Sequence, residues 1–432
     1  MRTSCKQSIS NPAQFKQQLL VWAQQFREVV FLDSNQYPQH YSSYDCVLAV
    51  DAFTSTKTDY HNAFEDLKVY QQTTKDWLFG YLSYDLKNDV EELTSNNADQ
   101  IEFPDLFFFQ PKKIFLLKGN ELEIQYLNMC EDELDEDLQE ILHSETAIED
   151  SNATVEIQQR ISKEQYLVKI REMLVHIHRG DIYEANFCME FYADETAINP
   201  LEMYQKLNAI SEPPFAAYFK NDKQFLLCAS PERYLRKDGT KVITQPIKGT
   251  AKRHTDLVAD KNAREALQAD PKERAENTMI VDLVRNDLSH TAEKGSVTVE
   301  ELCGIYTFKQ VHHMISTIVS EVPHHVSPVD IIKTTFPMGS MTGAPKISAM
   351  KIIEELEETK RGLYSGALGY FTPDGDFDFN VVIRSILYNQ DNQYVSFSVG
   401  SAITAHSVPE KEYEECLLKA KAMRQVLNNQ LV

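Results

Sequence analysis

The sequence predicts a large α+β fold, and three features point to it. Short runs rich in aromatic and β-branched residues crowd the first third of the chain, separated by polar, Gly or Asn turns, as antiparallel strands are. Amphipathic helical segments stand beside these runs instead of alternating with them one for one, which disfavours a doubly wound sheet. At 432 residues, 42% hydrophobic and 25% charged, the chain can bury a substantial core as one large domain or two ordinary ones.

Taken in order, residues 15–28 (FKQQLLVWAQQFRE) carry a helical apolar stripe. Strand-like runs follow at 29–32, 46–50, 77–82, 107–109, 114–117 and 122–126. Residues 131–155 are strongly acidic, with no strand signal and a weak helical one, and read as an exposed connector. This divides the chain into an N-terminal region, 1–155, and a C-terminal domain, 156–432. A helix starting at Lys163 stops at Gly180, a suitable C′ glycine. Strands and helices then continue to a long final helix over about 409–428, with no internal repeat or low-complexity tract.

The formal charge of −22 argues against nucleic acid and anionic membranes as partners. A small anionic substrate would need locally concentrated Lys, Arg or a metal ion. The seven cysteines (Cys5, Cys46, Cys130, Cys188, Cys228, Cys303, Cys416) are scattered, odd in number and never spaced CxxC, which predicts free thiols in a reducing cytoplasm. The N-terminus lacks a signal-peptide core, and no apolar run approaches membrane-spanning length.

Several segments carry chemistry. In TQPIKGT (244–250), Lys248 ends a strand-like stretch and precedes a glycine that permits close approach to a ligand. As a nucleophile it must be partly neutral, through desolvation or a nearby cation; on spacing alone, a lysine beside glycine is more often a surface residue. In DPKERAENTMIVDLVRNDL, Asp270, Pro271 and Glu273 read as N-cap, N1 proline and capping-box partner. Glu276 falls on the buried stripe with Ile280 and Leu283, where a carboxylate needs a cation or several hydrogen bonds. Ser407, Pro409 and Glu410 open the last helix, which carries Glu412 and Glu415 on one face. Two such faces could hold one hard divalent cation such as Mg²⁺, although E-x-x-E pairs are commonly just solvated.

FPMGSMTGAPK places Gly339, Gly343 and Pro345 before a helix that reads through to Gly362, with Lys346 at an unfavourable end of the dipole. Either an anion binds there or Lys346 is an exposed lysine on a capped helix; a P-loop is excluded because GxxxxGK[ST] is not matched. Arg384 lies in a nearly continuous apolar strand, FDFNVVIRSILY, and calls for a planar anion or an internal salt bridge. His313, in QVHHMISTIV, is embedded in an apolar run, where a histidine is more often a hydrogen-bonded core residue.

Together, RGDIYEANF, SPERYL, QPIKGT, DPKERAENTMIVDLVRNDL, HHMIS, FPMGSMTGAPK, GALGYFTPDGDFDFNVVIRS and GSAITAHSVPEKEYEE resemble the chorismate-utilising enzymes, in family order over roughly 160–425. FLDS (31–34) and FGYLSYDL (from Phe79) extend the resemblance to the N-terminal region of the anthranilate and aminodeoxychorismate synthase branch, which binds tryptophan in some relatives. The resemblance implies the fold of that branch. Lys248 points to the aminating enzymes, since anthranilate synthases have Ala in the PIAGT motif. Glu184 stands where the isochorismate branch has a water-activating Lys, and where the aminating branch usually has Gln. Ala402 stands where glycine is usual, and His406 replaces a common Asp.

What the resemblance implies is specific. Mg²⁺ on Glu276 and Glu415, with Glu273 and Glu412 in support, binds the ring carboxylate. Arg384, with the turn of Gly343, Ala344 and Lys346, receives the enolpyruvyl carboxylate; Thr250, Gly400, Ser401 and Ala402 complete the substrate site. Lys248 attacks C2 while Glu232 protonates the departing C4 hydroxyl, ammonia adds at C4, and His313 orients the substrate. A separate glutamine amidotransferase subunit supplies the ammonia. The alternatives are anthranilate formation and a catalytically inactive ligand-binding subunit.

Overall fold

The computed structural model describes residues 1–146 and 154–429. Among these, twenty strands form a continuous hydrogen-bonded system whose junction is the strand Leu106–Lys118. That strand pairs along its length with Cys46–Thr58, at one end with Leu78–Leu82, and at the other with Glu121–Leu127. From Cys46–Thr58 one sheet runs through Glu28–Asp33, Phe215–Asn221, Gln224–Ser230, Ser385–Asn389 and Tyr394–Thr404 to Glu184–Ala193. From Leu78–Leu82 a second runs through Ala367–Phe371, Phe377–Val381, Arg233–Asp238 and Lys241–Gln245 to Val311–Glu321. All of these ladders are antiparallel, as an α+β fold requires.

The two sheets pack face to face, and period-two alternation sorts their side chains. Val30, Phe219, Phe79 and Tyr81 fill the space between the sheets, where the Tyr81 and Phe219 rings meet edge to face at 5.2 Å. Val29 and Phe31, on the opposite face of their strand, pack with Phe15, Leu19, Tyr166, Tyr204 and Tyr413 from helices outside the first sheet. Ile280, Val281, Val284 and Ile332, from Pro271–Ser289 and Pro328–Thr335, cover the second sheet. Pairing runs across residue 155: Glu28–Asp33 joins Phe215–Asn221 and Leu78–Leu82 joins Ala367–Phe371, so the two regions share both sheets.

Several elements depart from the sequence reading for physical reasons. The runs at 107–109 and 114–117 are one strand through Pro111, tolerated because its partner shifts register between Ala52 and Thr54. The acidic stretch is not simply a connector: Leu134–His143 is a helix that buries Leu134, Asp137 and Ile141. Asp137 there accepts hydrogen bonds from Lys113 at 2.5 Å and Tyr126 at 2.7 Å, so part of the acidity is internal pairing. Residues 147–153 of that stretch lie outside the described residues. The strand Arg2–Ser8, polar and mostly exposed at a sheet edge, carries no hydrophobic run that could announce it. The helix after FPMGSMTGAPK is Lys346–Leu356 and ends before Gly362, because Glu357 and Arg361 turn inward as a buried ion pair. FDFNVVIRSILY is two strands, Phe377–Val381 and Ser385–Asn389, with Arg384 in the break between them.

Candidate active site

A cavity of about 380 Å³ opens where Ile247–Lys252, Val311–Glu321 and Tyr394–Thr404 meet the helices Pro271–Ser289 and Pro409–Leu427. Six of its lining residues are cationic (Lys248, Lys252, Lys272, Arg384, Lys419, Lys421) and five are carboxylates (Glu232, Glu273, Glu276, Glu412, Glu415). Local charge is thus nearly balanced in a chain of net charge −22, so the cavity lining itself does not oppose an anionic ligand.

Lys248 reaches the cavity because its strand slips register against Val311–Glu321 between Ile247 and Thr250. Gly249 makes the slip possible: its φ is +94°, and a Cβ there would stand 3.0 Å from a Glu273 carboxylate oxygen. Lys248 is 9% exposed, and its amine donates a 2.6 Å hydrogen bond to Glu184 Oε1. Burial pulls its pKa down, but Glu184, with Glu276 and Glu232 beyond it, outweighs burial, and the net displacement is upward. A nucleophilic lysine was expected to be neutralised by desolvation or a neighbouring cation; here an anion holds the proton on.

Glu232 precedes the strand Arg233–Asp238 and is 3% exposed. Its Oε1 accepts from the Ile247 N–H at 3.5 Å. Burial raises its carboxyl to about 7 against the opposing pull of Ser340, that amide and Lys248, so a large fraction is protonated near neutrality. His313 sits opposite Thr250 in the ladder, and its Nδ1 lies 2.9 Å from Thr250 Oγ1. Burial, with Arg384 second, lowers the imidazole to about 3, so it is neutral where it lines the cavity. Arg384 adopts φ +53°, a left-handed conformation unfavourable to a side-chain-bearing residue, in the break between two strands. Among the described residues its guanidinium has no hydrogen bond or ion pair, so the internal salt bridge is not made; burial lowers its pKa while Tyr364 and Glu415 oppose. A desolvated, unpaired guanidinium favours an anion.

The carboxylates expected on two helices meet at one wall of the cavity. Burial is the largest influence raising Glu276, to about 7, and Glu184 and Glu273 add to it. Burial also raises Glu273 and Glu412. Glu415 is lowered because Lys419, at 2.7 Å, outweighs its burial. Lys272 Nζ stands 3.7 Å from Glu276 and 3.9 Å from Glu412, and among the described residues no three carboxylate, His or Cys groups are drawn together tightly enough to hold a metal. The Asp270 side chain caps Lys272 and Glu273 amides as predicted, while Glu273 lines the cavity.

Four expected site residues lie elsewhere. Gly343 and Ala344 pair with Ala185 and Glu184, and a Cβ on Gly343 would meet the Glu184 carbonyl at 2.2 Å. That glycine permits the close strand approach. Lys346 turns away to Asp287 at 2.7 Å and the Thr335 carbonyl at 3.1 Å. Ser401 faces Tyr166 at 3.1 Å, whereas its neighbours Gly400 and Ala402 line the cavity, by strand alternation. Conversely, Ser340, Lys272 and Lys419 line the cavity without having been singled out. Lys419, one helical turn after Glu415, was findable by spacing; Ser340 was not, since only tertiary packing brings it to Glu232.

Comparison with known proteins places the chain in a family. The sequence pattern of the family described as chorismate binding enzyme matches residues 21–425. The chain is 34% identical to "Anthranilate synthase component 1" of Thermus thermophilus, over 80% of this chain and 76% of that protein. It is 32% identical to "Aminodeoxychorismate synthase component 1" of Bacillus subtilis, over 81% of this chain and 76% of that protein. Among solved structures, anthranilate synthase component I from Streptococcus pneumoniae superposes with a TM-score of 0.76 at 25% identity, covering 90% of this chain and 94% of that one.

Proposed function

The chain belongs to the chorismate-binding enzymes, and we propose that within them it aminates chorismate to 4-amino-4-deoxychorismate, with Lys248 as covalent nucleophile and Glu232 as acid. The observation that carries this reading is a buried lysine and a buried, half-protonated carboxyl lining one cavity. Lys248 attacks C2, and Glu232 gives its proton to the C4 hydroxyl as water departs. Ammonia then adds at C4 and Lys248 leaves, so the enolpyruvyl group is retained. Arg384 has the free guanidinium to bind a substrate carboxylate, and neutral His313, steadied by Thr250, is suited to orient the ring substituents.

Glu276 and Glu415, backed by Glu273 and Glu412, would hold Mg²⁺. The fit lies in the donor set: four carboxylates line one wall of the cavity, and a hard divalent cation takes oxygen ligands. When bound, the ion supplies charge neutralisation for the ring carboxylate. A glutamine amidotransferase subunit is the proposed ammonia source, with ammonium as its substitute in vitro.

The deciding experiment is chromatographic separation of products from chorismate, Mg²⁺ and ammonium. Aminodeoxychorismate is expected; anthranilate with pyruvate would overturn the reading in favour of the activity named for the Thermus relative. Lys248→Ala is expected to abolish any covalent adduct detectable by mass spectrometry.

A further inference from the structure

Glu184 opens the strand Glu184–Ala193 and is 1% exposed. Its Oε1 receives the Lys248 hydrogen bond at 2.6 Å, while its Oε2 is buried without any hydrogen-bond partner among the described residues. A carboxylate kept for stability is expected to satisfy both oxygens, because an unpaired buried acceptor costs about 1–3 kcal/mol. This one engages a single partner, the amine proposed to react. Among the described residues no other side chain makes an ion pair or hydrogen bond with Lys248 Nζ. Glu276 on the Pro271–Ser289 helix and Glu232 before Arg233–Asp238 act on it only through their fields.

From this geometry, and resting on Lys248 as nucleophile, we propose that Glu184 is the base that takes the Lys248 proton. The proton passes from Nζ to Glu184 Oε1, and the freed lone pair forms the bond to C2. The C1=C2 pair shifts to C1=C6 and the C5=C6 pair to C4=C5; the C4–O bond breaks, and the hydroxyl leaves as water with the Glu232 proton. In the second half ammonia forms the bond to C4, the two ring pairs shift back, and the C2–N bond breaks with its electrons returning to Nζ. Glu184 then returns its proton to Lys248, and the new C4 ammonium gives one proton to the Glu232 carboxylate. Every proton is restored, and the balance is chorismate plus ammonia to 4-amino-4-deoxychorismate plus water.

Glu184→Gln keeps the size and the hydrogen-bond acceptor but cannot take a proton. Glu276 and Glu232 remain in the field of the amine, so this substitution does not by itself free the lone pair. The experiment is rapid-quench mass spectrometry of the Lys248 adduct with chorismate and Mg²⁺ but no ammonia, in full-length protein. Adduct formation in the Gln variant is expected to slow by about 10²–10⁴-fold, with unchanged chorismate affinity. In Glu184→Ala, formate is expected to restore the rate by at least about tenfold, an effect no purely structural role would produce. Adduct formation in Glu184→Gln at or above the parent rate, or no rescue by formate, would overturn the proposal alone. Absence of any adduct in the parent protein would instead overturn the nucleophile reading on which it rests.

Discussion

Replacing Glu232 by glutamine removes the proposed acid while keeping the side chain's shape, and stability and turnover should respond in opposite directions. Burial raises the carboxyl from 4.5 to about 7, which corresponds to about 3 kcal/mol of linked free energy. The sign follows from the direction of the displacement. The folded protein holds this proton more tightly than the unfolded chain, so the stabilisation is complete below 4.5 and is lost as pH rises through about 7. At higher pH the parent protein carries an ionised carboxylate in a desolvated position; glutamine does not ionise. Urea melts of both proteins should therefore show the variant gaining about 3 kcal/mol relative to the parent between about pH 4 and about pH 8. Turnover should fall by about 10²–10⁴-fold, and parent kcat should decline above about pH 7 as the acid is lost. A stability difference independent of pH, or amination retained in the variant, refutes the reasoning.

Other substitutions probe the remaining assignments. Arg384→Ala should raise KM for chorismate by about 10–100-fold, from loss of about 1.5–3 kcal/mol of charge-assisted hydrogen bonding, with little change in melting temperature. Lys346→Met should do the reverse: it strands Asp287 without its 2.7 Å partner, destabilising the fold by about 3–5 kcal/mol in denaturant melts while leaving KM unchanged. Chelation should abolish turnover, and added Mg²⁺ should restore it without change in the far-ultraviolet circular dichroism; activity undiminished by exhaustive chelation would count against the carboxylate wall as a metal site.

The sequence by itself determined the elements whose signal is local. Continuous apolar runs such as Val29, Val30 and Phe31 marked a strand buried on both faces, Asp270 and Gly180 marked helix ends, and ordered motifs marked the family. Glu276 was legible as a buried carboxylate because helical spacing alone puts it on the apolar stripe. Tertiary structure decided what local signal cannot encode. It broke an apolar run at Arg384 and left its guanidinium free, turned Lys346 away to Asp287, and set Glu184 against Lys248 across 64 positions of sequence. The reason is physical: periodicity fixes which face a side chain occupies, whereas the partner it meets there, and hence the charge it carries, depends on which distant strand or helix closes over that face.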